Sequence, residues 1–109
     1  MTTFDKREKA FENEFEHNQE MLFKARARKN KLLGLWAAGL MGKTGAAAES
    51  YARDIVMADF EKPGPHDVVN TLMKDLAAAG KPMEEHSIRR QANRFLEEAK
   101  AQLKGESKK

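Results

Sequence analysis

Apolar residues recur along most of the chain at the spacing of one helix face. Glycine and proline interrupt them at Gly42-Lys43-Thr44-Gly45, Pro63-Gly64-Pro65 and Gly80-Lys81-Pro82. These breaks divide the sequence into four helical segments. In the first, Phe4, Phe11, Phe15, Leu22, Ala25, Leu32, Leu33, Trp36 and Leu40 fall within about a third of a helix circumference. The second, about 46–60, aligns Ala47, Tyr51, Ile55 and Ala58 on one narrow face. The third opens with Pro65, whose fixed φ and missing N–H suit a first helical turn, and carries Val68, Val69, Leu72, Met73 and Leu76. Gly80 stands where a left-handed residue would close that helix, and Pro82 prevents its continuation. The fourth, about 84–104, aligns Ile88, Ala92, Phe95, Ala99 and Leu103. Glu84 and Glu85 lie at its start and Lys104 at its end, as the helix dipole prefers.

The first segment is too long for its partners. At about 1.5 Å per residue it would reach roughly 55 Å, against about 22 Å for the second and third and about 30 Å for the fourth. The stretch from Leu32 to Leu40 is the richest in apolar groups, so packing is expected there and the N-terminal end is left uncovered. Nine of the first twenty residues are charged. Three Phe rings among them cannot offset a backbone entropy of about 1–2 kcal/mol per residue. Residues 1–20 are therefore expected to form a mobile arm, disordered when free and helical against a partner. Residues 21–104 are expected to form a four-helix bundle, and residues 105–109 a frayed tail.

Composition supports an all-α fold. Ile, Val, Thr and Tyr number only ten, while Ala, Glu, Lys, Leu, Met, Gln and Arg dominate. Of 44 apolar residues 16 are Ala, which leaves 28 larger side chains and a modest core. The absence of Cys excludes disulfides, thiolate zinc sites and cysteine nucleophiles. The longest apolar run, Leu32 to Gly42, is 11 residues, short of the roughly 20 that span a bilayer. It lies behind an acidic terminus, unlike a secretory signal, so a cytoplasmic location is expected.

The net charge of +3 conceals a pattern. Residues 1–20 sum to −3, whereas residues 21–48 carry six cations and no acid. The dense run Lys24, Arg26, Arg28, Lys29 and Lys31 is the strongest nucleic-acid signal in the chain. Only Lys24, Arg28 and Lys31 share a face, however, and Lys29 falls on the apolar stripe, where its stem would have to snorkel. The acidic arm upstream would repel phosphate, so a solvated helix face is the better reading, with some of these charges meeting acidic protein surface.

Other candidate chemistry is thin. Gly42-Lys43-Thr44 matches the end of a phosphate loop, but Ala37 stands where that pattern needs Gly, and a helix precedes it instead of a strand. An ordinary turn, with at most a weak anion or nucleotide contact at the next helix start, fits better. His17 and Glu20 have the i, i+3 spacing of half a carboxylate-bridged metal site but lack the second half, and His66 and His86 have no matching set. No metal or cofactor is expected. His17 lies in the arm, where any exposed His titrates near neutrality. No Ser or Thr has a base at a useful spacing, so no enzymatic activity is expected.

The block from Leu22 to Ala38, Leu-Phe-Lys-Ala-Arg-Ala-Arg-Lys-Asn-Lys-Leu-Leu-Gly-Leu-Trp-Ala-Ala, closely resembles the signature of the ζ subunit of alphaproteobacterial F-type ATP synthases. Phe4-Asp5-x-Arg7-Glu8 and Ile88-Arg89-Arg90 look like the same family, so the resemblance covers nearly the whole chain. The sequence departs at Met41-Gly42-Lys43-Thr44-Gly45 and at Glu84, where the family pattern has a hydroxyl cap. The resemblance implies a four-helix bundle whose arm enters a catalytic interface of the rotary ATPase, becomes helical there and blocks ATP hydrolysis. Under that reading Phe4, Phe11 and Phe15 anchor the arm, and Asp5, Arg7 and Glu8 set its polar register. Lys24, Arg28 and Lys31 would contact the enzyme from the bundle. The protein would be monomeric when free and attached to the inner membrane only through the synthase. Two alternatives stay open at this point: a basic bundle binding nucleic acid, and an assembly or nucleotide-sensing accessory of the synthase with little inhibitory activity.

Overall fold

The computed structural model describes residues 19–62 and 67–107, and all regular structure among them is helical. Helix α1 spans Gln19–Leu40, α2 Gly45–Glu61, α3 Asp67–Ala78 and α4 Glu85–Ser107. The four segments expected from the hydrophobic pattern are all present. The arm residues Phe4 to Phe15, His17 and the Pro63 to His66 link lie outside the described residues.

Helix α1 is the centre of the bundle, with α2 and α4 packed along it and the short α3 joining all three. Both long partners run antiparallel to it. Gly34 and Asn30 of α1 meet Ala52 and Asp59 of α2, while Trp36 meets Phe95 and Ala25 meets Leu103 on α4. The main core joins Leu33, Ala37, Ile55, Val68, Val69, Leu72, Leu76 and Ile88. A smaller cluster of Ala25 and Leu103, covered by Met21 and Leu96, holds the end where the arm departs.

The apolar faces of α3 and α4 match expectation. Val68, Val69, Leu72 and Leu76 are buried on α3, and Ile88, Ala99 and Leu103 on α4. The faces of α1 and α2 match only in part, through Ala25, Leu33 and Ile55. Leu22 and Leu40, counted in the α1 stripe, are 37% exposed, and Trp36 and Leu32 are half-buried. Asn30, Gly34, Ala37 and Ala38 are buried instead. A helix flanked on two sides needs two faces, and the one turned to α2 is made of small and polar residues that carry little hydrophobic signal. On α2 the buried positions are Ala52, Ile55 and Asp59, while Ala47 and Ala58 are exposed and Tyr51 is half-buried. Asp59 is drawn inward by partners on α1, which rotates the helix away from its purely apolar face.

The close packing of α1 on α2 depends on Gly34. A Cβ there would sit 2.8 Å from Ala52 Cα, so any side chain forces the two backbones apart. At the end of α1, Gly42 takes φ +82 and closes a Schellman motif. Lys43 N–H donates to Ala38 O at 2.9 Å and Gly42 N–H to Gly39 O at 3.1 Å. The same pair of bonds recurs at the end of α3, where Gly80 is the left-handed residue as expected. Glu84 stands where a hydroxyl cap was expected. Its carbonyl accepts the first backbone bonds of α4, from Ser87 and Ile88 at 3.1 and 3.2 Å.

Helix α4 also corrects the expected tail. It continues past Gly105 to Ser107, and Arg28 donates from Nη1 and Nη2 to the Glu106 carboxylate, linking the last turn to α1.

Candidate functional site

The three cations expected on one face, Lys24, Arg28 and Lys31, line a single shallow depression of about 710 Å³. Phe23 and Ala27 of α1, Val56 of α2 and Leu103 of α4 complete its walls. The cations differ in what they offer. Lys24 is exposed and pairs with Glu20 one turn away at 3.3 Å, a contact that solvent screens. Arg28 is engaged with Glu106, whose hydrogen bond raises the guanidinium further above its ordinary pKa, and lies near Gln102. Lys31 is exposed.

A second, smaller cavity of about 240 Å³ adjoins it between α1 and α2, sharing Phe23, Ala27 and Val56. Its floor is polar. Arg26 donates from Nε to Asp59 Oδ2 at 2.7 Å and from Nη2 to Oδ1 at 2.8 Å. Asn30 Nδ2 donates to the same Oδ2 at 2.7 Å. This forked, charge-assisted arrangement satisfies the buried carboxylate and fixes the register of α1 against α2. Phe23 and Phe60 form its rim, edge to face with centroids 5.7 Å apart.

Lys29, expected to snorkel, is half-buried beside this network. Burial lowers its pKa, Asp59 opposes that effect and Arg26 adds to it. On the far side of α2 the Tyr51 hydroxyl donates to Asp75 Oδ2 at 2.7 Å, tying α2 to α3. Burial, then the bond to Asp75, raises the tyrosine pKa.

Sequence reasoning missed Phe23, Asn30, Asp59 and Phe60. Asp59 lies one turn after Ile55, and Asn30 sits among cations, but nothing in either segment shows that the two meet. Of the other candidates, the Gly42-Lys43-Thr44 turn is a helix cap, and the Thr44 side chain makes no cap hydrogen bond. Among the described residues no group of three or more His, Asp or Glu is placed to hold a metal ion. Arg26 and Arg28 are occupied by carboxylates and Lys29 is half-buried, so the cationic run does not present the phosphate-neutralising density that nucleic-acid binding requires. No helix among the described residues is long and apolar enough to cross a membrane.

Comparison with known proteins places this arrangement in context. Residues 1–102 match the family of the ATPase inhibitor subunit zeta. A protein solved by solution NMR is similar in sequence and fold, with 43% identity over 79% of this chain and 98% of its own, and a TM-score of 0.68. A search of curated proteins returns no match.

Proposed function

The chain belongs to the ATPase inhibitor subunit zeta family, and on that premise we propose that it blocks ATP hydrolysis by the F-type ATP synthase with its N-terminal arm. The observation that carries this reading is that the family match begins at residue 1 and so includes the arm as well as the bundle.

The inhibitor needs no chemistry of its own. A rotary enzyme stops when one rotational state is bound more tightly than the next, so a wedge with differential affinity is sufficient. Phe4, Phe11 and Phe15 would anchor the arm in an apolar cleft of a catalytic interface, with Asp5, Arg7 and Glu8 setting its polar register. The bundle acts as the handle. Contact through Lys24, Arg28 and Lys31 would hold the arm near its target at high effective concentration, so that ordering the arm costs less than it would for a free peptide. The protein would reach the inner membrane only through the synthase.

The test uses the full chain and the ATP synthase of the same organism. The immobilised chain should retain the catalytic sector from solubilised membranes, and the soluble chain should lower ATP hydrolysis by the isolated enzyme. Retention without any effect on hydrolysis would leave an assembly or sensing accessory, and no retention would reject the reading.

A further inference from the structure

Two of the three most exposed large apolar side chains among the described residues, Phe23 and Phe60, meet at the mouth of the smaller cavity. Phe23 is 54% exposed, Phe60 is 62% exposed, and Met57, one turn back on α2, is 50% exposed. Folding leaves this surface in water, and an apolar cluster with a cationic rim is the composition of a recognition surface. Beneath it Asn30 is 1% exposed, and its Oδ1 accepts no hydrogen bond from the described residues. A buried acceptor without a donor is costly, and a donor brought by a partner would relieve it. The two carboxylates lining the adjoining spaces, Asp59 and Glu106, are each held by an arginine, so Lys31, with Lys24 and its solvent-screened partner Glu20, gives the larger depression beside the mouth a positive edge. The site also adjoins the root of the arm. Phe23 stands only four residues beyond Gln19, so an enzyme surface that grips the arm meets this mouth next.

We infer that the α1–α2 cleft is a second docking site for the ATP synthase. It receives an acidic segment of the enzyme that inserts one aromatic side chain carrying a hydrogen-bond donor, a tyrosine or tryptophan, between Phe23 and Phe60. The volume suits one such side chain, the Phe pair offers ring edges and faces to it, and Asn30 offers an acceptor below. Carboxylates of the same segment would meet Lys24 and Lys31. The inference rests on the inhibitor reading and adds a bundle contact that is apolar at its centre.

The experiment compares the full-length chain with Phe23→Ser/Phe60→Ser and with Lys24→Glu/Lys31→Glu, all four positions being exposed. Each chain carries one cysteine introduced at Ala101, also exposed, to hold a fluorophore. Binding to the catalytic sector is read by anisotropy and inhibition by ATP hydrolysis. Both variants should bind at least tenfold more weakly, the lysine variant losing its defect as salt rises, and the Phe variant should still inhibit fully at saturation because the arm is intact. Wild-type affinity in the Phe variant overturns the cleft and leaves the inhibitor reading standing. Failure of the wild-type chain to bind or inhibit rejects that reading and the cleft with it. Two further results overturn the proposed occupant. Loss of a dimer in sedimentation of the Phe variant would show that a second copy covers the cleft. A change in the Phe23 and Phe60 signals on deleting residues 2–18 from the free chain would show that its own arm does.

Discussion

Replacing Gly34 by Ala adds one methyl group where α1 and α2 come closest. The new Cβ would lie 2.8 Å from Ala52 Cα, 3.2 Å from Ala52 Cβ and 3.5 Å from Ile55 Cβ. The first of these is backbone, so no rotamer change relieves it. Reaching ordinary contact, which begins at 3.4 Å, requires the helices to part by the difference, 0.6 Å. A gap of that size forfeits roughly a quarter to a half of the dispersion energy of each contact along the seam, and overpacking of this kind costs about 1–3 kcal/mol. It also stretches the bonds from Arg26 and Asn30 to Asp59, which cross the same seam. Against this stands the helix propensity of Ala, about 1 kcal/mol better than Gly. With about 1 kcal/mol more for the weakened bonds to Asp59, the net expectation is a loss of about 1–3 kcal/mol, or roughly 4–24 °C in Tm for a domain of this size. Gly39 is the control. It lies in the same helix with nothing within 4 Å of its added Cβ, so Gly39→Ala should gain up to about 1 kcal/mol, less for its place in the last turn. Urea denaturation followed by far-ultraviolet circular dichroism measures both. Equal shifts, or a Gly34→Ala variant as stable as the parent, would refute the close approach as the determinant of α1–α2 packing.

Three polar groups in the bundle can be probed by single substitutions. Asp59→Ala leaves Arg26 half-exposed but removes the carboxylate that accepts from both Arg26 and Asn30. It should destabilise the bundle by about 2–3 kcal/mol, less than a fully buried pair would, and a double-mutant cycle with Arg26→Met should show coupling above about 0.5 kcal/mol. Tyr51 has a folded-state pKa above its ordinary 10.0, so the folded chain keeps a proton that the unfolded chain releases. Its contribution is complete below about pH 10 and is lost as pH rises beyond that, and Tyr51→Phe should flatten this alkaline decline in denaturation curves taken across that range. Lys29→Met removes a half-buried cation whose charge burial opposes. It should raise stability at neutral pH by up to about 1 kcal/mol, as measured by the urea midpoint.

The parts of the structure that could be read from the sequence are those where one face decides. On α3, Val68, Val69, Leu72 and Leu76 face a single core, and Ile88, Ala99 and Leu103 do the same on α4, so periodicity alone located both. Helix α1 serves two neighbours at once, and the face it turns to α2 is built from Gly34 and Asn30, which no hydrophobicity pattern marks. Asp59 misled the reading of α2 for a related reason. A carboxylate reads as solvent-facing until Arg26 and Asn30 arrive from about thirty residues earlier to neutralise and bond it. The candidate site divides in the same way. Lys24, Arg28 and Lys31 were legible as a face because they lie on one helix, whereas the Phe23–Phe60 rim exists only when α1 and α2 are brought together. Glu106 is the last case. It pairs with Arg28 and lies in the final turn of α4, where a tail was expected.

If the arm is the inhibitory element and the bundle its handle, the two functions can be separated. Deleting residues 2–18 while keeping the bundle, with its helicity checked by circular dichroism, and titrating the product against ATP hydrolysis by the cognate synthase tests it most directly. The truncated chain should fail to inhibit at concentrations where the full chain inhibits completely, yet still bind the enzyme and compete with the full chain for it. Inhibition by the truncated chain equal to that of the full chain would contradict it.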